Sequence, residues 1–93
     1  MAKVYISEYA DVRAAAGYEP HTADQTVTSA ATSTQTSAFN VETHFVRVHT
    51  DGIISIAFGS NPTATTDKLR MAAGQTEYFY VIPGHKAAVI TNT

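Results

Sequence analysis

The chain has no cysteine and no tryptophan, and only 15% of its 93 residues are charged. Without cysteine, neither a disulfide framework nor a thiolate metal site can staple the domain. Without a long apolar run, "MAKVYISEYADV" at the start reads as neither a signal peptide nor a membrane span, so synthesis and folding in a cytoplasm are expected. The net charge is −2 and the six basic residues are scattered. Nucleic-acid binding requires clustered Lys and Arg to displace condensed counterions, so no nucleic-acid partner and no membrane partner are expected. No G-x-S-x-G elbow and no Gly-rich phosphate loop occur.

What is present is apolar and hydroxylated. A chain of this length makes one thin-cored domain, residues 1–93. Free-standing domains usually carry about a quarter charged residues. The shortfall fits either a hydroxyl-rich β-protein or a domain that hides surface against neighbours.

"AKVYIS" alternates and reads as a strand. Residues 8–24 keep no strand period and read as an irregular N-terminal arm, with room for one helical turn at "VRAAA". "QTVTSA" reads as a strand, "TSTQTS" as a loop, and "AFNV" as the start of another strand. In "THFVRVHTDGIISIAFG" two apolar runs flank Asp51-Gly52, the strongest short-range hairpin signal. A two-residue loop there puts Phe45, Arg47, His49, Ile54, Ile56 and Phe58 on one face. His44, Val46, Val48, Ile53, Ser55 and Ala57 take the other. Both faces are apolar, so both must be covered, by the arm or by another subunit.

"GSNPTATTDK" is a polar loop, "KLRMAA" a short strand, and "TEYFYVI", Pro83-Gly84 and "HKAAVI" a second hairpin. Pro then Gly suits the centre of a type II turn, which matches hairpin twist less well than the primed types. About seven short strands without a long helix predict an all-β fold: a small antiparallel β-sandwich, jelly-roll-like, with the irregular arm at residues 8–24.

No catalytic, metal or cofactor residues are expected. His44 and His49 lie an odd number of residues apart and point to opposite faces of a strand. His21 falls in the arm and His85 at a turn, an arrangement of ordinary, partly exposed histidines. The tyrosines, including Tyr78 and Tyr80, suit core and interface packing, or a sugar-stacking face. The arm and hairpin argument places partner contacts at Tyr9, Val12, Tyr18, Phe45, Arg47, Ile54 and Ile56.

The segments "ISEYA", "QTVT", "SAFNVETHFVRVHTD", "FGSNPTAT" and "AAGQTEYFYVIPGHKAAVI", in this order, resemble small β-sandwich structural proteins of tailed-bacteriophage head modules. The resemblance rests on strands and turns over most of the chain. It implies a non-enzymatic virion protein, made in the host cytoplasm and located on the capsid surface as a decoration, or cement, protein. Its implied partners are the major capsid protein and itself, as a homodimer or homotrimer. The alternative is a tail or fibre component with a glycan-binding role.

Overall fold

The computed structural model describes residues 2–10 and 23–93. It contains eight strands: β1 (Lys3–Tyr9), β2 (Ala23–Thr28), β3 (Thr34–Gln35), β4 (Phe45–Thr50), β5 (Ile54–Gly59), β6 (Leu69–Met71), β7 (Thr76–Tyr80) and β8 (Lys86–Thr91). They form two antiparallel four-stranded sheets, in the orders β2-β1-β4-β7 and β3-β8-β5-β6. The chain is an all-β sandwich.

The alternation read from the sequence is present, but the strands it marks pair differently. β4 lies between β1 and β7, whereas β5 lies between β8 and β6. Asp51-Gly52 therefore joins two sheets and makes an arch, not the expected hairpin. The physical reason lies in the backbone. A primed hairpin turn needs positive φ at its central residues, and among the described residues positive φ occurs only at Gly74 and Gly84. Thr50 closes the arch instead: its hydroxyl donates to the Gly52 carbonyl at 2.7 Å. Asp51 then clamps the neighbouring strand, accepting the Lys3 backbone N–H on Oδ1 at 2.7 Å.

The arch explains the two apolar sets. Val46 and Val48 point inward from one sheet, Ile54 and Ile56 inward from the other, and all four belong to one buried cluster. The sandwich interior covers both pairs, and no second subunit is needed for it. Each such side chain contributes about 1.5–3 kcal/mol on leaving water. Ala2, Val4, Ile6, Val27, Phe39, Met71, Ala87 and Val89 complete the cluster.

The second expected hairpin is likewise an arch, since β7 and β8 belong to different sheets. Its turn has the expected chemistry. His85 N–H donates to the Ile82 carbonyl at 3.1 Å, and Gly84 has φ 83°, the geometry of a type II turn over Pro83-Gly84.

Three further expectations change. "TSTQTS" contains the short strand β3. "AFNV" is not a strand; residues 36–44 cross between sheets, with Phe39 buried against Phe58. Of the arm, Glu8 and Tyr9 end β1 while Ala23 and Asp24 begin β2, and residues 11–22 lie outside the described residues.

Candidate interaction surface

The two outer faces of the sandwich differ. On the β3-β8-β5-β6 sheet, the outward-facing Ser55 and Ala88 are fully buried. The 60–66 loop is tied along that face. Gln35 Nε2 donates to the Pro62 carbonyl at 2.8 Å, Ala64 N–H to Ser33 Oγ at 2.9 Å, and Ser55 Oγ to the Thr66 carbonyl at 3.4 Å. Pro62 and Ala64 are buried. The centre of this sheet is covered by its own chain, while Gln35 and Arg70 at its margins stay exposed.

The β2-β1-β4-β7 sheet exposes a different surface. Strand register aligns its outward side chains in rows: Tyr5, His49 and Thr76; Ser7, Arg47 and Tyr78; Tyr9, Phe45 and Tyr80. Phe45 is the hub of the last two rows. Tyr78 stacks on it at 5.8 Å between ring centroids, and Tyr80 meets it edge-on at 4.9 Å. Tyr5 lies 6.3 Å from His49 and carries Lys3 Nζ over its ring at 5.4 Å. His49 Nδ1 bonds Thr76 Oγ1 at 2.8 Å. Tyr78 is 49% exposed, Tyr80 76% and Ile82 60%. Packing on Phe45 pins the two tyrosines at one edge, leaving their ring area available.

An open depression of about 250 Å³ continues this edge, lined by Phe58, Gly59, Tyr80, Val81, Ile82 and His85. A more polar one, about 310 Å³, lies between β1, β2 and the 36–43 crossing, beside Glu8, Asp24 and Asn40. Glu8 there is buried, and hydrogen bonds hold its carboxylate. Its Oε1 accepts from Asn40 N–H and Thr43 Oγ1, both at 2.8 Å, and its Oε2 from Gln25 Nε2 at 2.9 Å. A carboxylate holding three donors from separate segments is a clamp on the crossing.

The residues expected to make partner contacts divide sharply. Ile54 and Ile56 are fully buried between the sheets, and Tyr9 and Phe45 are also buried, so none of the four presents a free surface. The expected contact role of Phe45, Ile54 and Ile56 came from treating β4 and β5 as one hairpin, and that of Tyr9 from placing it in the arm. Arg47 is half-buried at the centre of the open face. Val12 and Tyr18 lie outside the described residues. Tyr5 and His49, absent from that expectation, stand on the open face, where the alternation of "VYISEY" and "VRVHT" could have placed them.

Among the described residues, no group of three His, Cys, Asp or Glu side chains is arranged to hold a metal ion. His44 bonds the Glu42 carbonyl at 3.1 Å, remote in role from His49. No helix in the described residues is long and apolar enough to cross a membrane. Asp67, on the exposed loop before β6, has its carboxyl held below the usual range by the Thr65 hydroxyl, aided by its own backbone N–H and by Lys68. The open face offers aromatic stacking, the Arg47 guanidinium, the His49 imidazole and the Lys3 ammonium. No protein-family model, curated protein or solved structure matches the chain.

Proposed function

We propose that this chain is a non-enzymatic structural protein of a tailed-phage particle, which decorates the outer capsid surface and stabilises the shell. The observation carrying the reading is the contrast between the faces: one sheet is covered over its centre by its own loop, the other is left open with Tyr5, Tyr78 and Tyr80 exposed. A surface that only adheres needs apolar and aromatic area, few charges and no reacting group. Weak contacts repeated over a symmetric shell add through avidity. The partners in this reading are the major capsid protein and further copies of the chain.

The strand pairing also supports a jelly-roll reading. β5–β6, β4–β7 and β3–β8 are nested pairs of one ribbon that alternate between the sheets. β1 takes the place beside β2 that a ninth strand would fill. Quantitative mass spectrometry of purified particles tests the function. A copy number comparable with that of the major capsid protein is expected, and absence from the particle would refute the reading.

A second reading, a glycan-binding tail or fibre component, is favoured by Tyr80 beside the Ile82–His85 depression, since exposed aromatic rings stack on sugars. A few copies per particle, with glycan-array binding lost in Tyr80→Ala, would establish it over the first.

A further inference from the structure

We infer that two copies of this chain join edge to edge through β7, antiparallel about a two-fold axis at Tyr78, making one continuous eight-stranded sheet. The inference rests on the self-association half of the proposed function and not on the shell.

The four edge strands are unequally protected. β3 has two residues and β6 three, and short edges are poor templates. β2 has six residues, but its outward side chains are Asp24, Thr26 and Thr28, all polar. β7 alone presents an aromatic edge, with Tyr78 and Tyr80 exposed.

Its backbone is also correctly poised. Val81 N–H donates to the His44 carbonyl and Thr50 N–H to the Gln75 carbonyl. With the register Phe45↔Tyr80 to His49↔Thr76, these bonds fix the alternation. Glu77 and Phe79 turn their peptide groups toward β4, while Thr76, Tyr78 and Tyr80 turn theirs to the open edge. Only one antiparallel register lets these three residues pair fully with their own copies: Tyr78 opposite Tyr78, and Thr76 opposite Tyr80 in both directions. Each pair then exchanges two backbone hydrogen bonds. The strand is self-complementary, as a two-fold interface requires.

Side chains suit the same register. On the outer face the two Tyr78 rings meet at the axis, flanked by each Tyr80 and backed by each Phe45. On the inner face Glu77 falls opposite Phe79, not opposite the second Glu77, which sits diagonally about 7–8 Å away. Gln75 Nε2 holds the Glu77 carboxylate at 2.7 Å along its own strand. Glu77 is an inward-facing charge of the kind that discourages random edge pairing. Here it penalises registers that set the two carboxylates face to face, and so selects the Tyr78-centred one.

Sedimentation equilibrium over a concentration series, together with residue-resolved amide exchange, tests this. The expected mass is twice the 10.0 kDa of one chain. Tyr78→Lys, which sets two ammonium groups at the axis, is expected to weaken association by at least about tenfold. Circular dichroism should show that variant still folded, because Tyr78 turns its peptide away from β4. Tyr5→Lys, on the same face but two strands inward, should leave association unchanged. The amides of Thr76, Tyr78 and Tyr80 should become protected as concentration rises, while those of Glu77 and Phe79 are protected throughout. A monomer at every concentration would overturn the inference. So would an oligomer whose Tyr78 and Tyr80 amides stay unprotected, or one disrupted equally by Tyr5→Lys. Particle copy number is a separate readout, so failure of the edge and failure of the shell reading are distinguishable.

Discussion

Replacing Gly52 by Ala tests the arch directly. A Cβ built at Gly52 lies 2.8 Å from Ala2 Cβ and 3.4 Å from Ala2 Cα. Ordinary contact requires more than half an ångström of retreat, and Ala2 is not free to retreat. Its N–H donates to Ser29 Oγ at 2.9 Å, its carbonyl accepts from Ser29 N–H at 2.8 Å, and the next residue is clamped by Asp51. Overpacking of this kind costs about 1–3 kcal/mol. Gly52 does not have positive φ, so the substitution also stiffens the unfolded chain, which offsets about 0.4–1 kcal/mol. The net expectation is a loss of about 1–2 kcal/mol, with Tm falling by roughly 4–8 °C per kcal/mol in a domain this size. Ala2→Gly alone loses a buried methyl, about 0.8 kcal/mol, plus about 0.5–1 kcal/mol of glycine entropy. In the double variant the clash is gone, so its loss should be smaller than the sum of the singles. Urea unfolding of all four proteins closes the cycle. Simple additivity would refute the reasoning, because a primed hairpin turn at Asp51-Gly52 would strain the backbone without involving Ala2.

Four other perturbations have definite expectations. Ile54→Ala, at a fully buried site, should cost about 2–5 kcal/mol, and Val48→Asp should prevent folding by stranding a carboxylate in the same cluster; both are read by denaturant melts. Glu8→Gln keeps an acceptor for Asn40 and Thr43 but turns an amide toward Gln25 Nε2, whose own oxygen is engaged by Ser37 N–H. One charge-assisted bond is lost, about 1.5–3 kcal/mol at most, with the fold retained by heteronuclear NMR. Asp67 titrates below its ordinary value in the folded chain, so its contribution is present above the unfolded value and disappears as pH falls through the folded one. Asp67→Asn should therefore lower stability near neutral pH and converge with wild type in acid, a trend measured by thermal melts across pH.

The sequence disclosed direction better than partnership. Period-two alternation in "FVRVHT" and "TEYFY" states which side chains share a face, and Val46, Val48 and Phe79 do point inward. It does not state which sheet a strand joins. Ile54 and Val48 fit a two-sided hairpin or two facing sheets equally well on polarity alone, and the choice depends on φ at Gly52 and on the distant strands β1 and β8. Pro83-Gly84 was legible as a type II turn because its residues fix φ locally. Its use as an arch depends on Phe39, whose N–H donates to the His85 carbonyl at 2.8 Å and whose carbonyl accepts from Gly84 N–H at 3.2 Å across the sandwich end. The burial of Tyr9 and Phe45 escaped for the same reason: each stands on an outward position, and only neighbours distant in sequence, Tyr78 and Tyr80 among those of Phe45, decide what remains exposed.

Arches also account for the asymmetry on which the functional reading depends. A hairpin keeps its turn and both strands in one sheet, leaving the other sheet to be supplied elsewhere. Two arches, at Asp51-Gly52 and Pro83-Gly84, pass the chain between sheets instead, and the apolar halves of β4 and β5 satisfy each other. That places Val46, Val48, Ile54 and Ile56 in the interior and leaves Tyr5, Tyr9, Phe45, Tyr78 and Tyr80 on the outward positions of β1, β4 and β7. The longest loop between successive strands in the second half, residues 60–68, then lies on the opposite sheet, bound through Gln35, Ser33 and Ser55. Lengthening or severing that loop would be expected to expose Ala88 and Ser55 and create a second apolar face. Loss of solubility in a Pro62→Asp, Ala64→Asp double variant, with the outward tyrosines untouched, would show that the single open face is a consequence of how this loop is tied down.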